Sequence, residues 1–573
     1  MKATKIIYAL SVAGTLVLSS CGSDFLDTPT DSRVELDNNE KLKMLLSSSY
    51  PLNNYGWPCE LMSDNMEDNN APDEEGMRYN LRPYDRGDDE MFRWDVCVSN
   101  TSSDSPSSIW ESHYHAAAGA NAVLDVLDKW EKEGKLTDEQ LAIKGEALLI
   151  RSYCHFILAQ VFCHPYRGDA VSETLLGIPY IKKPETTVKP DYPRGTLKET
   201  YDNIRADLEE GLPLIDNSIY EIPKYHFNKA AADAFAARFY LVVRQYDKCL
   251  EHCDAAFGGP DVDPSTMMNT IFKQLGNFYY ISDFGKYAQG SDKARNLMLI
   301  ATYSGSFRHY AGGTRYGVVR DALNSTIHGS SPAWSSFKFK LSNGKGGTFT
   351  MHPCFNGACG SNGKAEYGNY FAGNISEQFE ITDKIASIGY AHVTRSEFTT
   401  EEVLLTRAEA KLFLGDINGA LADVSIWEKA RRDSPSAEGE QDRFVDLTID
   451  NIRKFYVDKD PGYGIAKTIN IDQICPSNWS ISSPEEMGML QCIQHFRRIE
   501  MIHTGMRWFD IKRLGLEYDR KIGKDFVDHL GIFDERKAVQ IPAEIVAAGM
   551  QQNPRITDDM NKLQPKDAVV RVY

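Results

Sequence analysis

The chain has 573 residues, 42% of them hydrophobic and 25% charged, which is ample for a large folded core. A formal net charge of −18 leaves no basic stripe to hold phosphates, and this excludes a nucleic-acid partner.

In chain order, residues 1–20 read as a lipoprotein signal peptide. Lys2 and Lys5 form its positive end, and the apolar stretch from residue 6 to 18 is too short to be a spanning helix. Leu18-Ser19-Ser20-Cys21 resembles a bacterial lipobox, so Cys21 is the expected lipid attachment site. Several acyl chains anchor firmly, since each buried methylene contributes about 0.8 kcal/mol. Residues 21–573 then form one tethered domain in an exported compartment. Of 11 cysteines, Cys354 and Cys359 are spaced to close a short loop. Cys249 and Cys253 lie one helical turn apart, where disulfide geometry is poor, and the rest read as buried thiols.

A short helix is expected over residues 40–50. The chain then turns polar and irregular to Asn100, with acidic patches at residues 64–75 and 85–90. Asp64, Asn65, Glu67, Asp68 and Asn69 invite a calcium reading, but the Gly and terminal Glu of an EF loop are out of register. No metal is therefore expected. A long helix carries Trp110, Tyr114, Asn121 and Leu127, and a second spans residues 138–162. Residues 163–195 are a Pro-rich connection. Thr196 reads as the N-cap of a helix carrying Leu197, Tyr201, Ile204, Leu208 and Leu212, which ends at Pro213.

An internal repeat follows. Residues 237–250 match residues 408–421: a small residue on one helix, a tight turn, then a second helix, with Tyr246 or Ile417 filling the gap. The pattern resembles the tetratricopeptide hairpin. It predicts a mostly α fold whose scaffold covers about 36–257 and 395–515. Between the copies, residues 258–394 are rich in Gly, Ser, Asn and aromatics, including Tyr303, Tyr310, Tyr316 and Trp334. An insertion of this length must carry short strands and helices of its own. Residues 427–490 read as irregular, residues 494–515 (QHFRRIEMIHTGMRWFDIKRLG) as a packed helix with an ion-pair network, and residues 516–573 as a C-terminal segment.

Several stretches together carry a family resemblance. Arg498-x-Glu500 with Gly505-Met506-Arg507-Trp508-Phe509-Asp510 resembles the C-terminal motif of SusD/RagB-type nutrient-binding lipoproteins. Met501 and Thr504 stand where that family usually has Leu and Glu. Phe25-Leu26-Asp27-Thr28-Pro29, the Glu146-Ala147, Arg151 and Tyr153 helix, and Gln552-Asn553-Pro554 are similar to family motifs too. The resemblance implies a lipid-anchored protein of the outer-membrane surface. It would bind an oligosaccharide, pass it to a SusC-like TonB-dependent transporter, and use no cofactor.

A phosphate loop, a Gly-x-Ser-x-Gly elbow and a His-Glu-x-x-His helix are all missing from the sequence. The expectation is therefore a binding protein rather than an enzyme. Sugar C–H faces stack on aromatic rings while polar side chains bond the hydroxyls. Trp94, Tyr303 and Trp334 are the expected platform residues, with Arg78, Arg82 and Asn100 as hydrogen-bonding partners. Trp110 and Trp508, on helices, read as core. A peptide ligand on the same architecture, a surface glycoside hydrolase and a tetratricopeptide adaptor are the alternatives.

Overall fold

The computed structural model describes residues 35–68, 85–98, 102–185, 192–275, 285, 288–312, 315–326, 329–334, 339–342, 348–351, 375–432, 444–523 and 526–555. The chain divides into two units, Met1–Leu42 and Lys43–Tyr573. Of the first, residues 35–42 are described and hold the opening of helix α1 (Asn39–Ser47). All that follows concerns the second. Cys21, Arg78, Arg82, Asn100, Cys354 and Cys359 lie outside the described residues.

The region expected to be irregular before Asn100 contains two short helices, α2 (Gly56–Met62) and α3 (Arg86–Phe92). Asp85 starts α3 by accepting the Gly87 amide. Helix α4 (Pro106–Glu133) has Ser105 as N-cap and Pro at its first position, where a missing N–H costs nothing. Helix α5 (Asp138–Phe162) starts with a capping box between Thr137 and Gln140. It is buried around almost its whole circumference from Ala142 onward, as befits a helix without a polar face. Helix α6 (Leu197–Gly211) starts at the expected Thr196 cap, boxed with Glu199. Helix α5 packs against both α4 and α6.

Both copies of the repeat fold as helix hairpins. The first is α7 (Lys229–Val243) and α8 (Tyr246–Phe257), turning at Arg244, φ 61°. Between its copies the chain forms strand β1 (Asn296–Tyr303), helix α9 (Ser306–Gly312) and strands β2 (Glu377–Asp383) and β3 (Ile388–Thr399). The second hairpin is α10 (Thr400–Phe413) and α11 (Ile417–Arg432), turning at Gly415, φ 86°. Tyr246 stacks on Phe413 with centroids 4.3 Å apart, so this ring fills the gap between the copies. The expected scaffold of helix hairpins is present, and the fold is mostly α.

The three strands form an antiparallel sheet in the order β1-β3-β2. Strand β3 runs straight into α10, whose N-cap is Thr399. Its two ends differ. Phe398 is buried against Tyr153, Phe227 and Phe235, whereas Ile388 at the other end is 60% exposed. The sheet is therefore rooted in the helical core and opens toward solvent at the β2–β3 turn.

Residues 494–515 are two helices, not one. Helix α12 runs Pro484–Glu500, beginning inside the stretch expected to be irregular, and α13 runs Met506–Arg513. The break holds His503 and Gly505 at φ 67° and 79°. A Cβ on Gly505 would meet the Gly56 carbonyl oxygen at 2.8 Å, so α2 needs the glycine there. Glu60 of α2 accepts from the amides of His503 (2.9 Å) and Gly505 (3.1 Å) and thereby fastens the turn.

The acidic stretch after α2 serves the same joint. Asp64 accepts from Arg507, and Asn65 accepts from Arg498 at 2.8 Å. Asp68 is paired with Arg315 at 2.8 Å. Burial alone raises the Asp64 carboxyl, but Arg498 and Arg507 outweigh it and hold this group well below the usual carboxylate range. Of the carboxylates that suggested calcium, Asp64 and Asp68 are thus bound to arginines, and Glu67 accepts from the Ala322 amide. Past α13, the hairpin β4 (Tyr518–Ile522) and β5 (Phe526–Leu530) leads to a tail that returns to the core. There Asn553 donates to the carbonyls of Phe162 and Val539 and accepts from Arg194.

Candidate functional site

Tyr303, at the end of β1, is the sequence-expected aromatic that remains partly exposed. Its amide donates to the Leu52 carbonyl at 2.6 Å. On the other side, the Ser304 amide donates to the Ala391 carbonyl of β3 at 3.0 Å. Asp104 completes the frame, accepting from the Ser304 hydroxyl and the Gly305 amide, each at 2.7 Å. The Tyr303 backbone is thus anchored at Leu52, and the two residues that follow it are fixed by Ala391 and the Asp104 carboxylate, the kind of support a binding platform requires.

The register sets its neighbours. Tyr303 pairs with His392, His392 with Gln378, and Tyr390 with Glu380. Directly opposed residues of antiparallel strands share a face, so all five lie on one side of the sheet. Ile388, two positions before Tyr390, continues the row. Tyr303 lies 4.4 Å from the His392 ring and 5.6 Å from the Tyr390 ring, the latter edge-on. His392 Nε2 is 2.8 Å from Glu380 Oε2. Tyr390 is 57% exposed, so this row presents ring surface to solvent beside a carboxylate and an amide. On the opposite face Arg308 forms a two-pronged pair with Glu377 at 2.6 and 2.7 Å and lies over Phe379.

Beneath the frame lies a second cluster. Trp57 stacks on His309 at 4.6 Å and donates its Nε1 proton to Asp88 at 2.7 Å. Burial and the neighbouring Asp85 raise the Asp88 carboxyl to about 7 against the pull of Trp57. Burial likewise lifts Asp104 to about 6 and lowers His309.

A partly open crevice of about 50 Å³ lies between β3, α2 and the α12–α13 turn, lined by Arg238, Arg295, Arg395, Glu397, Glu402 and Glu500. Arg238 already pairs with Glu397 at 2.6 Å and Glu402 at 2.7 Å. The crevice is too small for a sugar ring, and its charges are spent on one another.

Two expected platform residues are corrected by the structure. Trp94 is 3% exposed, donates to the Met62 carbonyl at 2.9 Å, and is covered by Arg520 at 4.2 Å and Tyr518. Trp334 is 2% exposed, donates to the Gly329 carbonyl and stacks on Phe496. Neither ring has a free face. Trp110 and Trp508 are core, as expected. Tyr390, His392 and Glu380 were missed. The signal for Tyr390 and His392 is the period-two alternation of Ile388-Gly389-Tyr390-Ala391-His392-Val393, a half-exposed strand by pattern.

Residues 24–241 match the family model SusD-like, described as starch-binding and associating with the outer membrane. Over those residues the chain is similar to the SusD-like family. A SusD superfamily protein of Bacteroides thetaiotaomicron is similar over 90% of this chain and 100% of its own, at 18% identity and a TM-score of 0.56. A putative sugar binding protein of Bacteroides vulgatus is similar over 91% and 99%, at 17% identity and a TM-score of 0.57. Likeness at these identities establishes the SusD fold. No curated protein matches the chain. Among the described residues no helix is long and apolar enough to cross a membrane.

Proposed function

We propose that this SusD-like chain is a cell-surface lipoprotein, anchored to the outer membrane through Cys21. It captures an oligosaccharide and delivers it to a SusC-like TonB-dependent transporter, over which it closes as a lid. The ligand is bound and passed on unchanged. The observation that carries the reading is the row Tyr303, His392 and Tyr390, which sets ring surface beside Glu380 and Gln378 on the open end of a rooted sheet. Aromatic faces with adjacent hydrogen-bonding groups suit the two kinds of surface on a sugar. The family's description as starch-binding points the same way.

A peptide is the second reading, and one observation favours it. Among the described residues strand β2 is the outer strand of its sheet, and such an edge can pair with an extended chain. Calorimetric titration of the purified protein against a panel of oligosaccharides and peptides, with product analysis, separates the readings. Saturable saccharide binding without cleavage is expected. Peptide binding alone would replace the first reading with the second, and cleavage products would make the chain a hydrolase.

A further inference from the structure

Both faces of the β2–β3 ribbon are exposed, and the one that carries Tyr390 also restricts what its ligand can be. The row from His392 through Tyr390 to Ile388 spans four strand residues at ~3.4 Å each, or ~14 Å. Tyr303 extends it on the β1 side through its pairing with His392. A single sugar ring covers only one of these contacts, so an extended chain gains from several at once. Beside the row, Glu380 is fixed by the backbone. A Cβ on Gly389 would lie 1.9 Å from the Glu380 carbonyl oxygen, so the glycine lets the two strands close up. His392 then holds the Glu380 carboxylate, which stays 57% exposed.

The charges on this face have one sign. Among its described residues, Tyr303, Gln378, Glu380, Ile388, Tyr390 and His392, none is Lys or Arg. The nearby Arg308 lies on the opposite face and is neutralised by Glu377. Asp383, the last residue of β2, pairs directly with Ile388 and adds a carboxylate at that end of the face, and the turn adds Lys384. Among the described residues, a ligand carboxylate laid along the row would meet Glu380 with no Lys or Arg on the same face, and the net charge of −18 repels polyanions at longer range. Sugar hydroxyls, by contrast, are donors that a carboxylate accepts well.

We propose that this row takes an extended, uncharged oligosaccharide, with Glu380 as the residue that accepts its hydroxyls and rejects chains of uronic acid. The proposal rests on the capture reading above and narrows it to a substrate class. The test is titration of the full chain with neutral oligosaccharides, from monosaccharide to hexasaccharide, and with uronate oligosaccharides of matching length. Neutral chains should bind at least about tenfold more tightly than the monosaccharide and than uronate chains, about 1.4 kcal/mol in each case. Glu380→Gln, at an exposed position, should keep the fold and reduce the preference for neutral over uronate chains about fivefold. Equal binding of neutral and uronate chains, or a preference unchanged in Glu380→Gln, overturns the charge selection and leaves the capture reading standing. Binding of neither class overturns both.

Discussion

Asp64 accepts two hydrogen bonds from Arg507, at 2.7 and 2.9 Å, across 443 positions of sequence. Arg498 donates to the Asp64 backbone carbonyl in the same joint, and Lys467 lies 3.6 Å from the carboxylate. The pair joins the segment after α2 to the opening of α13. Removing one partner leaves buried charge without its counterion, which costs about 3–5 kcal/mol. Asp64→Ala should therefore lower unfolding free energy by about that much in denaturant titration. Asp64→Ala combined with Arg507→Met should lose less than the sum of the two single changes.

The tryptophans and the tyrosines should separate cleanly. Trp94→Ala and Trp334→Ala remove buried rings and should each cost about 3–5 kcal/mol of stability. Tyr390→Ala removes a ring that is 57% exposed and should stay within about 0.5 kcal/mol of the parent. Thermal unfolding followed by circular dichroism reads both effects.

Stability should bend with pH in two opposite ways. Asp88 and Asp104, buried, are raised to about 7 and about 6 from 3.8. Their folded forms hold protons that the unfolded chain has released, so their contribution is full in acid and lost as pH rises through 6 to 7. Asp88→Asn should flatten that limb, raising stability at pH about 8 by on the order of 1–3 kcal/mol. Lys512 runs the other way. Burial lowers it from 10.5 to about 8 while its ammonium donates to the carbonyls of Gln160 and Cys163 at the end of α5. Its contribution is present above the unfolded value and lost as pH falls through about 8. Melting temperatures across pH, compared between the parent and Asp88→Asn, show whether the acid limb belongs to Asp88.

The proposed lipid anchor has its own check. Changing Cys21 to Ser should release the protein from the membrane fraction into the soluble one without altering its melting temperature. Retention of the Ser variant in the membrane would contradict anchoring through Cys21.

Much of the helical scaffold was legible because local signals and packing agree there. Thr196 caps where the sequence places it, the helix expected over residues 138–162 is present, and the repeat offset located both hairpins. The break between α12 and α13 was hidden because its cause is distant: Glu60 and Gly56 shape a turn more than 440 positions away. The platform was only half legible for a similar reason. Trp94 and Trp334 have the composition of binding residues, and only tertiary contacts with Arg520 and Phe496 reveal them as core. Tyr390 and His392 carry a readable strand alternation, but their partnership with Tyr303 depends on the β1–β3 register, which no local pattern encodes.

The measurement that bears most directly on the account is calorimetric titration of one saturating neutral oligosaccharide into the parent, Tyr303→Ala and Tyr390→Ala proteins. If the β3 row is the platform, each substitution weakens binding about tenfold or more while the fold is retained, since a stacked ring contributes about 1 kcal/mol beyond its burial. Undiminished affinity in both folded variants would contradict the account and put the saccharide elsewhere on the molecule.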